Sequence, residues 1–141
     1  MDLKEDLRVI ERVDKALNEQ DWKTFDECHA PSVISYSPMT EEPTRDIEAH
    51  REAVKEIFTP FPDFRMTKIR SFGQGDWLCF EYTMTGTHTG PFKTGDGQVI
   101  PPTNKRISVP ISLVAKIKDG KIAEEHIYYD RLAMLSQIGV R

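Results

Sequence analysis

The most regular pattern in the chain is the alternation of apolar residues in Ile107-Ser108-Val109-Pro110-Ile111-Ser112-Leu113-Val114-Ala115-Lys116-Ile117. Side chains of a β-strand point alternately to the two faces of a sheet, so this stretch predicts a long strand with one wholly apolar face. Asp119-Gly120 follows, a pair that favours a tight hairpin turn. We therefore expect the strand to fold back onto a partner at residues 121–130.

Two further strands are predicted upstream, at residues 64–71 and 77–89, with a turn at residues 73–76 between them. The longer one places a set of large side chains on one face: Leu78, Phe80, Tyr82, Met84 and His88. A hairpin connection rich in glycine and proline follows at residues 90–105. Strands of this length exceed the usual five or six residues, so the sheet is expected to coil strongly.

The N-terminal part of the chain predicts helices. A helical stripe is formed by Leu3, Leu7, Ile10, Val13 and Leu17, and Asp2 and Glu5 have the spacing of a capping box. Asp21 is placed to cap a short second helix, a strand is predicted at residues 33–36, and a third helix at residues 47–58 ends before Pro60. A loop at residues 37–45 precedes that helix, and residues 132–138 predict a final helical turn.

Helices followed by a strand meander predict a single α+β domain over residues 1–141, with the helices packed on a strongly curved antiparallel sheet. Such a sheet, closed by helices, forms a cone with an apolar pocket inside. The 141-residue length suits one domain with room for one cavity.

Composition excludes several classes of protein. The chain has 19 basic and 23 acidic residues, and this net charge of −4 argues against nucleic-acid binding. No apolar run is long enough for a membrane helix and no signal peptide is visible, so we expect a cytoplasmic protein that does not bind membranes.

Several short segments resemble the SnoaL-like polyketide cyclases, also called ester cyclases. They are Phe61-Pro62-Asp63-Phe64, Gly86-Thr87-His88-Thr89-Gly90-Pro91-Phe92, Ile100-Pro101-Pro102-Thr103-Asn104-Lys105, Asp119-Gly120-Lys121-Ile122 and Leu135-Ser136-Gln137-Ile138-Gly139. The resemblance implies the cone of the nuclear transport factor 2-like fold. It also implies an aldol cyclisation of a polyketide without metal or cofactor, carried by one aspartate on the last strand and a histidine two residues before it.

This chain departs from that catalytic pattern. The aspartate position falls on Ile127 and the histidine position on Glu125, and polar positions of the preceding strand fall on Ile111 and Leu113. A polar position after the second helix falls near Ser35. The interior is therefore expected to be drier than a cyclase needs, and any acid or base must be found elsewhere.

Two carboxylates are candidates for that base. Glu125 shares a strand face with Ile127 and Tyr129, where burial would raise its pKa into a useful range, unless the strand twists and Glu125 pairs with a surface lysine. Asp130 is either a second acid of the pocket or the cap of the last helical turn.

Candidate donors to a ligand are Tyr36, Tyr82, Tyr129 and His88, although His88 equally suits a role in fixing the following hairpin. His29 is expected at the end of the second helix and His50 in the core. The histidines and acids show no sequence spacing typical of metal ligands, so no metal or cofactor is expected.

Two functions remain open. The first is a cofactor-independent lyase or isomerase acting on a small apolar or aromatic carbonyl compound by aldol cyclisation, isomerisation or hydrolysis. The second is a non-catalytic binding or carrier protein using the same pocket. The uncharged outer positions of the long strand, Ser108, Pro110, Ser112 and Val114, predict a homodimer packed through the outer face of the sheet.

Overall fold

The first third of the chain forms three helices and one strand. The computed structural model describes residues 3–140, in which α1 (Leu3–Glu19), α2 (Trp22–Glu27) and β1 (His29–Tyr36) precede α3 (Ile47–Lys55) and a short 3-10 helix (Glu56–Phe58). The Asp21 side chain accepts a hydrogen bond from the backbone N–H of Thr24, which confirms the predicted cap of α2. The predicted capping box at Asp2 lies outside the described residues.

The rest of the chain is mainly strand. It contains β2 (Arg65–Gln74), β3 (Trp77–Thr87), the short pair β4 (Phe92–Lys93) and β5 (Val99–Ile100), then β6 (Arg106–Lys118) and β7 (Lys121–Tyr129), and it ends in α4 (Arg131–Gln137). The predicted apolar face of β6 is confirmed, because the six side chains that alternate from Ile107 to Ile117 are all buried.

The main sheet has the order β1-β7-β6-β3-β2 and is mixed. Strands β2, β3, β6 and β7 pair antiparallel as expected, but β1 runs parallel to β7. The expectation of an antiparallel sheet is therefore wrong for β1. A loop and α3 lie between β1 and β2, so β1 is free to join the far edge of the sheet instead of continuing the meander.

Strand β1 also begins earlier than predicted, at His29 instead of residue 33. Pro31 lies inside it, and a proline has no N–H to donate to a neighbouring strand. Strand β1 is an edge strand, and its pairing with β7 is irregular between His29 and Ile34. The proline is tolerated in this irregular stretch.

A bulge in β7 decides which of its side chains face inward. Lys116 pairs with Glu124, whereas the next residue, Ile117, pairs with Ile122. The extra residue breaks the alternation, so that Ile122 and Glu125, three positions apart, are both buried. The bulge therefore lets an isoleucine and a carboxylate enter the same interior.

The helices cover the inner face of the sheet. Ile10 of α1, Phe61, and Met134 of α4 belong to one apolar cluster with the inner residues of the strands. Beyond the end of β7, Gln137 of α4 ties the helix to β6. Its side-chain oxygen accepts from the N–H of Ser108 at 2.8 Å, and its side-chain nitrogen donates to the carbonyl of Ser108 at 3.1 Å.

No helix in residues 3–140 has the length and apolar character needed to cross a membrane.

Candidate functional site

A cavity of about 320 Å³ lies between the helices and the inner face of the sheet. Exposed residues line it where the 3-10 helix approaches the β4–β5 hairpin, namely Glu56, Thr59, Pro91 and Lys93, so this is its mouth. The volume is at the lower end of the range for small-molecule pockets.

Glu125 lies on the cavity wall with a buried histidine beside it. Its Oε1 atom accepts a hydrogen bond from Nε2 of His50 at 2.7 Å and another from the hydroxyl of Ser35 at 3.2 Å. All three residues are at least 96% buried. Ser35 is the register partner of Glu125 across the parallel β1–β7 pair, and His50 reaches the carboxylate from α3.

The charge state of Glu125 differs from the expected one. Burial alone would raise the pKa of this carboxyl, but the positive charge and hydrogen bond of His50, with contributions from His29 and Ser35, lower the pKa to about 2. The predicted upward shift is wrong because it considered only the apolar neighbours. Glu125 is thus a carboxylate at neutral pH, paired with an imidazole.

His29 completes the polar end of the cavity. It is the first residue of β1, and its Nδ1–H donates to the backbone carbonyl of Phe25 at 2.7 Å. This bond leaves the lone pair on Nε2 when the ring is neutral. Burial lowers the pKa of His29, although the nearby Glu125 acts in the opposite direction. The ring therefore favours the neutral form.

A second polar group on the wall pairs Tyr82 of β3 with Asp14 of α1. The Tyr82 hydroxyl donates to Oδ1 of Asp14 at 2.5 Å, and Nζ of Lys68 lies 3.0 Å from Oδ2. Burial raises the pKa of Asp14, and the bonds from Tyr82 and Lys68 partly offset this effect. Burial also raises the pKa of Tyr82, and the charges of Asp14 and Glu125 raise it further, so the phenol stays protonated.

Four of the other predicted residues line the cavity as expected. Ile111, Leu113 and Ile127 supply hydrocarbon at adjacent positions on β6 and β7, and Tyr129 borders the wall beside Arg131. Burial raises the pKa of Tyr129, while the neighbouring Arg131 acts to lower it. The interior is nevertheless less dry than predicted, because His29, His50, Glu125 and Asp14 share it.

Three predicted site residues, Asp130, Tyr36 and His88, do not line the cavity. Asp130 and Tyr36 lie at the surface. Asp130 is exposed and caps α4 by accepting from the N–H of Ala133, which removes it as a candidate base. Tyr36 belongs to the outer face of β1, where its ring stacks on His126. Neither residue is available to a ligand inside the cavity.

His88 is fully buried, but behind the hairpin and not on the cavity wall. Its Nδ1 atom accepts from the N–H of Thr103 at 3.3 Å, and its backbone bonds to both Asn104 and Lys105. The geometry favours the hairpin-fixing role that the sequence left open, and it does not support a role in ligand binding.

The sequence did not indicate that His29, His50 and Asp14 line the cavity. Asp14 did carry a signal, because it is four residues from Ile10 and three from Leu17 and so belongs to the apolar stripe of α1. An acidic residue in such a stripe needs a buried partner. The histidines gave no comparable signal, since their meeting with Glu125 depends on how β1, α3 and β7 assemble.

This arrangement offers two kinds of chemistry. A carboxylate–imidazole pair can accept a proton from a ligand, and a protonated phenol across the cavity can bond to a developing oxyanion. In addition, His29, His50 and Glu125 each present one atom able to bind a metal ion, and these atoms lie within 4.8 Å of one another.

Comparison with known proteins agrees with this fold. The sequence model of the family described as SnoaL-like polyketide cyclase matches residues 7–138. No curated protein sequence gives a significant match. Among solved structures, TsrD of Streptomyces laurentii is 27% identical, with a TM-score of 0.84 over 100% of this chain and 99% of its own.

Two other solved structures show the same fold at lower identity. IdmH of Streptomyces antibioticus, a proposed polyketide cyclase, is 24% identical, with a TM-score of 0.81 over 96% of this chain and 99% of its own. AclR of Streptomyces galilaeus, a proposed hydroxylase, is 20% identical, with a TM-score of 0.83 over 98% of both chains. One fold thus carries more than one proposed reaction.

Proposed function

Because the chain belongs to the SnoaL-like polyketide cyclase family, we propose that it binds a small apolar or aromatic carbonyl compound in the cavity and catalyses proton transfer on it with its own side chains. The observation that carries this proposal is the buried Glu125–His50 pair on the wall of an otherwise largely apolar cavity. A buried charged pair is costly for folding, and such a pair next to a ligand-sized space is a candidate for function.

The pair is the proposed base. A carboxylate with a pKa of about 2 is a weak base on its own, but Glu125 is hydrogen-bonded to the imidazole of His50, so the two groups can hold an arriving proton between them. A proton removed from the carbon next to the ligand carbonyl would pass to this pair. Ser35 holds the carboxylate in place while the proton moves.

Tyr82 is the proposed partner of the ligand oxygen. Removal of the carbon proton leaves an enolate, whose oxygen needs a hydrogen-bond donor. The Tyr82 hydroxyl now donates to Asp14, but when Asp14 is protonated the bond can reverse and free the phenol to donate to the ligand. Enolate protonation or attack on a second carbonyl group would then give isomerisation or aldol cyclisation.

A non-catalytic carrier remains the second candidate, and one observation favours it. The resemblance places Ile127 at the position of the family aspartate. With Ile111 and Leu113 it forms a hydrocarbon wall that suits retention of an apolar ligand. A carrier would use the cavity without needing the Glu125–His50 pair for turnover.

We also propose that the protein is a homodimer in the cytoplasm. Large apolar side chains on the outer side of the sheet are exposed, among them Phe72, Trp77 and Tyr128, and a second copy would cover them. The two cysteines, Cys28 and Cys79, are not joined in a disulfide, which suits a reducing compartment.

The base is testable without the natural ligand by following the ring opening of nitrobenzisoxazole. In that reaction a base removes a carbon-bound proton, the ring N–O bond breaks, and a coloured phenolate is released. We expect Glu125→Gln to lower kcat/KM at least about 10-fold, because the amide cannot accept the proton.

Asp130→Asn is the matched control. Asparagine caps a helix as well as aspartate does, and Asp130 lies outside the cavity, so this variant should match the wild type. Fluorescence of the uncharged probe phenylnaphthylamine reports cavity binding in parallel. Probe binding without any base-dependent turnover would instead support the carrier.

A further inference from the structure

The two histidines and the carboxylate at the polar end of the cavity converge on one point. His29, His50 and Glu125 come from β1, α3 and β7, and each presents a ligand atom within 4.8 Å of the other two. All three are at least 96% buried, and all three line the cavity. Within residues 3–140 this is the only such grouping of three histidine, cysteine or acidic side chains.

Hydrogen bonds around the cluster orient its members as those around metal ligands do. Metal-binding histidines usually donate their second ring N–H to a backbone carbonyl or carboxylate. His29 does so through Nδ1 to the carbonyl of Phe25, which leaves Nε2 as the coordinating atom. Ser35 holds the Glu125 carboxylate from the side of β1. These two hydrogen bonds involve Phe25 and Ser35, which are outside the cluster, so they are an observation separate from the closeness of the three side chains.

We propose that His29, His50 and Glu125 form a binding site for one divalent transition-metal ion, with a coordination position open to the cavity. Two imidazoles and one carboxylate are a ligand set that Zn²⁺, Co²⁺ and Fe²⁺ accept. The negative charge of the carboxylate suits a dication, and an imidazole nitrogen coordinates such an ion through its lone pair.

Metal binding requires only a small rearrangement. Ligand atoms at about 2.0–2.2 Å from a zinc ion are roughly 3.3 Å from one another in tetrahedral geometry. The Nε2 atom of His50 and Oε1 of Glu125 are 2.7 Å apart, joined by a hydrogen. The ion would replace this hydrogen and the two atoms would separate slightly, while His29 would move closer.

Binding of a metal ion and acceptance of a proton exclude each other at this site. The ion would occupy both groups that form the proposed base, so a metal-loaded protein should lose the ring-opening activity that the metal-free protein has. The metal site itself does not depend on the proposed function, because it rests on the ligand geometry alone.

The test is titration of the chelator-stripped full chain with Zn²⁺ by calorimetry, and with Co²⁺ by visible absorption. We expect one equivalent of Zn²⁺ bound at micromolar Kd or tighter, and Co²⁺ bands with the intensity of four- or five-coordination. His50→Ala and Glu125→Gln should each weaken Zn²⁺ binding at least about 10-fold.

His126→Ala is the matched control, because His126 forms the other histidine–carboxylate pair, with Glu124 on the outer face at 2.7 Å. This variant should bind Zn²⁺ as the wild type does. Binding lost in His126→Ala but retained in His50→Ala would overturn the proposal, as would absence of binding at millimolar Zn²⁺. If His50→Ala or Glu125→Gln fails to fold, the Co²⁺ spectrum of the wild type still tests the proposal. A weak spectrum typical of six-coordinate Co²⁺ would contradict the proposed site.

Ring opening by the metal-free wild type separates the two proposals. If it proceeds and no ion binds, only the metal site fails. If Zn²⁺ binds at the cluster and the metal-free protein shows no base-dependent turnover, only the proposed function fails.

Discussion

At the scale of single residues, the identity of the neighbour decides the chemistry of each buried ionisable group. Glu125 and Asp14 are both carboxylates on the wall of one cavity, yet their pKa values move in opposite directions. Glu125 has an imidazole against it, whereas desolvation outweighs the bonds that Asp14 receives. Environments that shift the pKa values of two carboxyl groups in opposite directions are typical of sites where one group accepts a proton and the other supplies one.

His88 makes stability depend on pH. Burial lowers its pKa, an effect that a backbone hydrogen bond at Gly90 partly offsets, whereas an unfolded chain has a histidine pKa of about 6.5. As pH falls below about 6.5, the unfolded state therefore takes up a proton that folded His88 does not, and the free energy of unfolding decreases.

We expect His88→Asn to reduce the loss of stability between pH 7.5 and pH 5.5, two values about one unit either side of the unfolded pKa. The asparagine oxygen can replace Nδ1 as acceptor of the Thr103 N–H but does not titrate. Urea unfolding of both proteins at both pH values measures this. An equal loss in wild type and variant would show that His88 does not contribute; the buried His29, whose pKa is also lowered, is unchanged in both proteins.

At the scale of elements, the hairpin carrying β4 and β5 is held by close backbone contact. The N–H groups of Thr89 and Gly90 both donate to the carbonyl of Pro60 at 3.2 Å. This contact brings the hairpin against the chain that follows the 3-10 helix and so forms the mouth of the cavity. It also leaves no room for a side chain at Gly90.

Gly90→Ala should therefore destabilise the protein by roughly 2 kcal/mol or more, because its Cβ would lie 2.0 Å from the backbone oxygen of Thr59. Gly95→Ala in the same hairpin is the control, since a Cβ there meets nothing within 4 Å. Urea midpoints of the two variants test the difference. Equal stability of the two would contradict the close approach.

At the scale of the whole molecule, the sheet separates two surfaces that differ in their surroundings. Its inner face borders the cavity, while its outer face carries exposed aromatic side chains such as Tyr128, which is 57% exposed. Register places Tyr36 beside His126 and Val114 opposite His126, so this outer surface is continuous across β1, β7 and β6.

If a second copy covers this surface, Tyr128→Glu should convert a dimer into a monomer, because the partner would have to bury a charge. Leu132→Glu is the control: Leu132 is 70% exposed but lies on α4, off the sheet face. Sedimentation at micromolar concentration measures both variants. A wild type that sediments as a single 16.2 kDa species would contradict the dimer.

The sequence by itself determined the elements and the apolar part of the cavity wall. The period-two pattern that ends at Ile117 and the stripe that includes Ile10 arise from residues close together in the chain, where side-chain periodicity reports directly on local structure. The family resemblance followed from short segments in order along nearly the whole chain. The inward position of Ile127 followed from that resemblance, whereas the sequence left two orientations open for Glu125.

Only the tertiary structure decided the polar part of the site. His29, His50 and Glu125 meet because β1 joins β7 in parallel, α3 lies over that pair, and a bulge in β7 turns Glu125 inward. Asp14 reaches Tyr82 because α1 crosses the inner face of the sheet. Such contacts join residues far apart in the chain, and no local pattern encodes them; the pKa of Glu125 therefore followed from its partners in space and not from its position in a strand.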